Sequence, residues 1–292
     1  MGFITDFMAM ILNFIYSWAN SYAVAIILFT LLIKLILLPL DIKSRKSMRK
    51  TTLLQPQIDA INKKYANDQQ KKSQKISELY KAEKVSPLSG CLPVLLQFPI
   101  LIAMFTMLRH LADEQTVQMF LTVQETGAFT PTSFFWVHNI WQPDNFLAPI
   151  IPDLSSLSAL APIANNPIVT ETNVEMIKNS YETVMQPVMQ QYSAFANGWG
   201  ILPILSAGTQ FLATRMQNKQ QPAAAAGQQQ GMTKMMSTMM PLISLFFCWM
   251  YNSAFALYWT TTNVYSLVQS FLLNRYFEKK EAGSALVEKE GK

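Results

Sequence analysis

Histidine and cysteine are nearly missing from this 292-residue chain, with two of each. His110 and His138 both fall in or beside one polar stretch, so no Ser–His dyad can be placed inside an apolar run, and no HExxH motif occurs. Cys91 and Cys248 form no CxxC or Cys/His spacing, which argues against a metal site and leaves the redox compartment open. Neither a P-loop nor GxGxxG is present, which removes the usual phosphate cradles. Charge is scarce, at 14% of residues, and Asp and Glu are absent from every long apolar run. That absence argues against an intramembrane aspartyl protease and against a carboxylate proton relay. The start of the chain lacks a basic n-region and a small-residue cleavage site, with Asp6 as its sole charge, so it is expected to be retained. The expectation is a protein with no catalytic residues, no metal and no cofactor.

Hydrophobic residues make up 50% of the chain, more than one soluble core would bury. Apolar runs of about 18 residues read as spanning helices, because an α-helix satisfies its own backbone where no water is present. Five segments fit: 22–40, 90–109, 199–216, 235–251 and 254–273, the fourth being the shortest. Ahead of them, Phe3, Ile4, Phe7, Met8, Ile11, Leu12, Phe14, Ile15 and Trp18 recur mostly every three or four positions. Residues 1–21 are therefore expected to form an amphipathic helix lying in the interface, with Trp18 and Tyr22 at the headgroups. The fold class expected is an all-α integral membrane protein.

Charge sets its orientation. Residues 41–88 carry twelve Lys/Arg against five Asp/Glu, whereas residues 110–198 carry one Lys against eight acids. Under the positive-inside rule the 41–89 segment is cytoplasmic, 110–198 is extracytoplasmic, the N-terminus is outside, and the 217–234 loop and 274–292 tail are inside. The pI near 9.1 reflects this orientation rather than nucleic-acid binding. Within 41–89, Leu54, Ile58, Ile61 and Tyr65 form one stripe and Ile76, Leu79 and Tyr80 a second after Asn67-Asp68. This pattern predicts a helical hairpin, either a solvated arm against anionic lipid or a partner-binding arm. The outer segment is proline-rich and irregular, with a helix expected over 171–191 and with Trp136 and Trp141 expected as interface anchors. Residues 217–231 read as a polar low-complexity linker.

The spans contain few polar groups: Thr30 and Lys34 in the first, Gln97 in the second, Ser206, Thr209 and Gln210 in the third, and Thr260, Thr261, Thr262, Asn263, Ser266 and Gln269 in the fifth. Singly, each serves helix packing more often than a site; together they suffice to line one hydrated cavity. Thr30 lies one turn before Lys34 and shares its face. A lysine at mid-span costs about 2.5–3.5 kcal/mol on insertion scales. Lys34 is also six residues, about 9 Å, from Leu40, within reach of a snorkelling stem. Periodicity and depth leave the two readings even.

The stretch YKAEKVSPLSGCLPVLLQFPI, Tyr80 to Ile100, closely resembles the YidC membrane insertases of the YidC/Oxa/Alb superfamily. The resemblance runs from about Tyr22 to Met107 and resumes at Phe134-Phe135-Trp136-Val137-His138, Ile201-Leu202-Pro203-Ile204-Leu205, Met239-Met240-Pro241 and Leu257-Tyr258-Trp259. It is most similar to the short bacterial form without a large periplasmic domain. The resemblance implies five transmembrane helices around a hydrophilic groove, in a bacterial plasma membrane protein that inserts, folds and helps assemble nascent membrane proteins. Nascent chains and lipid are the implied partners, the Sec translocon and ribosome further candidates. Lys34 matches the position where the family usually has Arg, and Thr30, Gln97, Tyr258 and Trp259 match groove or substrate-contact positions. Thr209, Gln210 and Asn263 join them as polar groups of the third and fifth spans.

Three departures accompany the match. Lysine keeps the charge but loses the five-donor fork of arginine, the N-terminus has no lipobox cysteine, and the outer segment is long for the short form. The tail at 278–292 is short and of mixed charge, so ribosome contact is expected at the hairpin and the 217–234 loop. Two other classes compete: a small-solute or ion transporter, which would show internal repeats and ion-binding carboxylates, and a structural subunit docking through the hairpin.

Overall fold

The computed structural model describes residues 2–84, 92–218 and 228–290. The expected start of the second span at Gly90-Cys91 and most of the polar linker lie outside the described residues. Nine helices are described: α1 Gly2–Ala19, α2 Tyr22–Leu53, α3 Gln55–Lys64, α4 Gln69–Ala82, α5 Leu92–Thr126, α6 Glu171–Tyr192, α7 Ile201–Asn218, α8 Gln228–Met250 and α9 Ser253–Glu290. Among the described residues there is no strand, only two isolated bridges, Phe134 with Val137 and Pro149 with Ala196.

Two of these helices are long and apolar enough to cross a bilayer by length and composition, α1 with mean hydropathy 1.2 and α2 with 2.7 over their most apolar stretches. Thr238–Met250 of α8 is a shorter apolar run. In α1, Thr5, Met8 and Leu12 are buried while Phe3, Phe7, Met10, Phe14 and Trp18 are exposed, the reverse of a soluble helix. Asn20, with φ +50, turns the chain between α1 and α2 while its N–H still reaches the Tyr16 carbonyl at 2.8 Å; asparagine tolerates this left-handed conformation better than most residues. The second helix does not end near Leu40. It runs through Pro39 to Leu53, because Lys and Arg at 43–50 are good helix formers and carry the helix beyond the apolar stretch. The fifth helix is 35 residues long, about 52 Å at 1.5 Å per residue, against a hydrocarbon layer of about 30 Å.

The chain divides into two compact units. The first comprises 1–30, 99–207 and 243–261. One core of it joins Val117, Met119, Phe120 and Val123 of α5 to Val174, Ile177, Tyr181, Met185 and Val188 of α6, filled from between by Ile150, Ile151, Leu160 and Val169. The α6 stripe recurs at three, four, four and three residues, one face of a helix. Thr170 caps that helix by accepting the Asn173 N–H at 3.2 Å, with Glu171 in its first turn complementing the helix dipole. Tyr181 stacks 6.1 Å from Phe120 and donates its hydroxyl to the Pro152 carbonyl at 2.7 Å. The 127–198 segment is thus folded, packed as a cap on the extended end of α5.

The second unit comprises 31–98, 208–242 and 262–292. There α3 and α4 pair through Leu54 and Ile58 against Ile76, Leu79 and Tyr80. A tight turn separates them, and Asp68 caps α4 by accepting the Lys71 N–H at 3.0 Å.

Candidate functional site

Lys34 sits in the second unit at 9% exposure, and its Nζ donates to the Gln97 Oε1 at 2.8 Å. Among the described residues it forms no salt bridge; the ion pairs there are Lys71–Asp68 and Lys75–Glu78, both on the exposed surface of α4 and its cap. A buried ammonium held by a neutral amide is not neutralised by its hydrogen-bond partner, as it would be by a carboxylate. The backbone carbonyl of Lys34 accepts the Tyr265 hydroxyl at 3.3 Å, so α9 also holds this turn of α2.

That contact opens a ladder between α2 and α9. Gln269 donates to Asp41 at 3.3 Å, Arg45 donates to the Ser270 hydroxyl at 2.9 Å, and the Arg49 guanidinium lies 5.5 Å from the Phe277 ring centroid. Residues 34, 41, 45 and 49 meet 265, 269, 270 and 277 in the same order, so these segments run parallel. Asp41 and Arg45 thereby each hydrogen-bond a neutral side chain of α9.

The remaining sequence-predicted residues divide between the units. Gln97, Thr209, Gln210 and Asn263 belong with Lys34 in the second. Asn263 is buried, Thr209 is half-buried, and Gln210 turns along its own helix to donate to Thr214 at 3.2 Å. Thr30, Tyr258 and Trp259 belong to the first. Thr30 is 1% exposed and its hydroxyl is taken by the Ile26 carbonyl at 2.6 Å, one turn back on α2. Tyr258 is buried, and the Trp259 ring packs 5.6 Å from that of Phe255. The Trp259 Nε1 and the Thr260 hydroxyl have no hydrogen-bond partner in the first unit, nor does the Thr262 hydroxyl in the second. All three are buried polar atoms left without a protein partner.

Sequence reasoning missed a polar lattice in the first unit, around the start of α7. Asp144 is fully buried; its Oδ1 accepts the Gly200 N–H at 3.0 Å, and its Oδ2 accepts the Leu202 N–H at 2.7 Å and the Trp136 indole N–H at 3.0 Å. A carboxylate at the start of α7 satisfies free N–H groups and complements the helix dipole. Gly198 packs so closely on this carboxylate that a Cβ there would collide with it. Asn197 and Asn139 bond reciprocally, Asn139 reaches the Ile150 carbonyl at 2.9 Å, and Asn145 reaches that of Trp249 at 2.9 Å. Of the two tryptophans expected as interface anchors, Trp141 is instead buried, at 6% exposure with its ring 5.1 Å from Tyr22, while Trp136 is half-buried with its indole N–H on Asp144. Nothing in local periodicity distinguishes a buried tryptophan from an interfacial one.

The chain was compared with known proteins. A membrane protein insertase YidC of Leptospira interrogans (serogroup Icterohaemorrhagiae serovar Lai) is 30% identical over 268 residues, covering 91% of this chain and 33% of that protein. The one of Clostridium perfringens is 29% identical over 273 residues, 92% of this chain and 84% of that protein. The one of Brucella suis biovar 1 is 40% identical over 133 residues, 46% of this chain and 22% of that protein. The chain thus spans about a third of the length of the Leptospira relative. The model of the 60Kd inner membrane protein family matches residues 14–281, and with nearly the whole sequence inside that match, the chain belongs to this family.

Proposed function

We propose that this protein is a membrane insertase and chaperone: it inserts, folds and helps assemble nascent membrane proteins by drawing their polar outer segments into a hydrated, positively charged groove. The observation that carries this reading is Lys34, a buried ammonium hydrogen-bonded to the neutral Gln97 rather than to an acid. Such a cation attracts acidic segments of a substrate, and surrounding polar groups lower the cost of moving their backbone through the bilayer. No covalent step or nucleotide is needed. Burial of the substrate's own apolar helix, worth about 0.8 kcal/mol per CH₂, supplies the driving force, aided by the membrane potential.

In this reading segments of α2, α5, α7, α8 and α9 are the five spans and α1 lies in the outer interface. The hairpin of α3 and α4 is cytoplasmic, where it recruits substrate, with the ribosome or Sec translocon as further partners. Gln97, Thr209, Gln210 and Asn263 are proposed to line the groove beside Lys34; Thr30, Tyr258 and Trp259 are proposed as substrate contacts from the family resemblance. The relatives named as YidC insertases support the activity. The test is to deplete the protein and follow insertion of a one- or two-span substrate with an acidic outer tail. Wild type and Lys34→Arg are expected to restore insertion and Lys34→Ala to restore it poorly; full rescue by Lys34→Ala sinks the charged groove. Normal insertion in depleted cells sinks the function.

A further inference from the structure

The outer part of the first unit holds a turn built to present apolar side chains. Asn145 Oδ1 accepts the N–H groups of Leu147 and Ala148 at 2.8 and 2.7 Å, and its amide donates to the Trp249 carbonyl near the end of α8. Neighbouring Asp144 is locked on the start of α7. The Phe146 ring lies edge-on, 5.3 Å from that of Trp249, and Gly200 packs so closely on the same indole that a Cβ would stand 3.0 Å from it. Around this clamp Phe146, Leu147 and Trp199 are 63%, 75% and 71% exposed. Rigid hydrogen bonding that holds large apolar groups outward has no use in water, where it costs hydrophobic free energy.

The apolar surface does not stop at the turn. Through Trp249 it adjoins the exposed stripe of α8, Ile243, Phe246, Phe247 and Met250, so turn and helix end meet one medium. We propose that Phe146, Leu147 and Trp199 seat in the outer leaflet, at the boundary of headgroups and acyl chains, as a fixed anchor continuous with the lipid-facing side of α8. This rests on the reading of α8 as a span. The outer segment carries one lysine against eight acids, so it grips by apolar insertion beneath zwitterionic or uncharged headgroups, not by attraction to anionic ones. Because the same turn holds Asp144, the anchor sets the depth at which α7 begins.

The experiment places a nitroxide at Leu147→Cys in the full chain, with Cys91 and Cys248 replaced by serine, reconstituted in phosphatidylcholine vesicles. Collision rates are read with oxygen, which concentrates in lipid, and with a nickel chelate, which stays in water. Phe246→Cys on α8 and the exposed α6 position Glu182→Cys are the references, and Phe146→Cys repeats the test should Leu147→Cys misfold. The expected result is an oxygen-to-nickel ratio at Leu147→Cys several-fold above Glu182→Cys and close to Phe246→Cys. A ratio matching Glu182→Cys while Phe246→Cys stays oxygen-rich overturns the anchor and leaves the span standing. A water-like ratio at Phe246→Cys overturns the span and the anchor with it. Exclusion of both reagents that grows with the protein-to-lipid ratio identifies a protein contact and overturns the lipid assignment.

Discussion

At the residue scale, a buried lysine bonded to glutamine is poor design for stability and good design for attraction. Replacing a buried lysine that has no ion-pair partner by an apolar group of similar length removes the cost of keeping its charge out of water. Lys34→Met is therefore expected to leave the thermal unfolding of the detergent-solubilised protein unchanged or raised, while insertion of an acidic-tailed substrate falls; a large loss of stability would make Lys34 structural. Gln97→Leu does the opposite, leaving the ammonium without its acceptor, and is expected to lower stability by about 1.5–3 kcal/mol in denaturant titrations. Asp144→Asn keeps the shape but cannot accept all three N–H groups. It is expected to cost about 1–3 kcal/mol for the stranded donor, plus a further contribution from the α7 dipole. Asp113, within α5 and just beyond the span expected over 90–109, has its carboxyl pushed up to about 6 by burial, with Arg109 pulling the other way. The folded state holds this proton longer than the unfolded chain, whose ordinary value is 3.8. The stabilisation is complete below that value and is lost as pH rises through about 6. Thermal unfolding compared at about pH 4 and about pH 7 should show a smaller difference for Asp113→Asn than for wild type.

At the scale of elements, helices were legible wherever apolar residues kept a period of three to four. The α6 stripe at Val174, Ile177, Tyr181, Met185 and Val188 and the two stripes of the hairpin are cases where local pattern and observed packing agree. Helix ends were less legible: the first span was expected over 22–40 with a separate hairpin over 41–89, and instead one helix continues through 43–50 to Leu53, since apolar runs mark where lipid ends and not where hydrogen bonding ends. The 127–170 segment looked irregular because its contribution to the core comes from single residues, Ile150, Ile151, Leu160 and Val169, that have no period to read. Ile177→Ala should cost about 2–5 kcal/mol by opening a cavity under α6. Tyr181→Phe should cost about 1–3 kcal/mol by stranding the buried Pro152 carbonyl. Hydrogen exchange over 145–192 is the measurement for both, and unchanged protection would refute a cooperative cap.

At the scale of the whole molecule, charge distribution is the feature that a single experiment can check. An impermeant thiol reagent added to sealed cells should label Glu182→Cys and label Ser73→Cys only after the membrane is opened, both in a cysteine-free background; the reverse pattern would invert the proposed topology. The sequence by itself determined the helical class, the asymmetry of basic and acidic segments, and the presence of a cation in an otherwise acid-free apolar run. Each of these is a local property, readable from composition or from neighbours three and four residues away. Only the tertiary structure decided that Lys34 meets Gln97, 63 residues on, that Trp141 is buried, and that Asp144 caps α7, 58 residues before the N–H of Leu202. The physical reason is that a buried polar group must find a partner wherever the fold supplies one, and the position of that partner along the chain leaves no periodic trace.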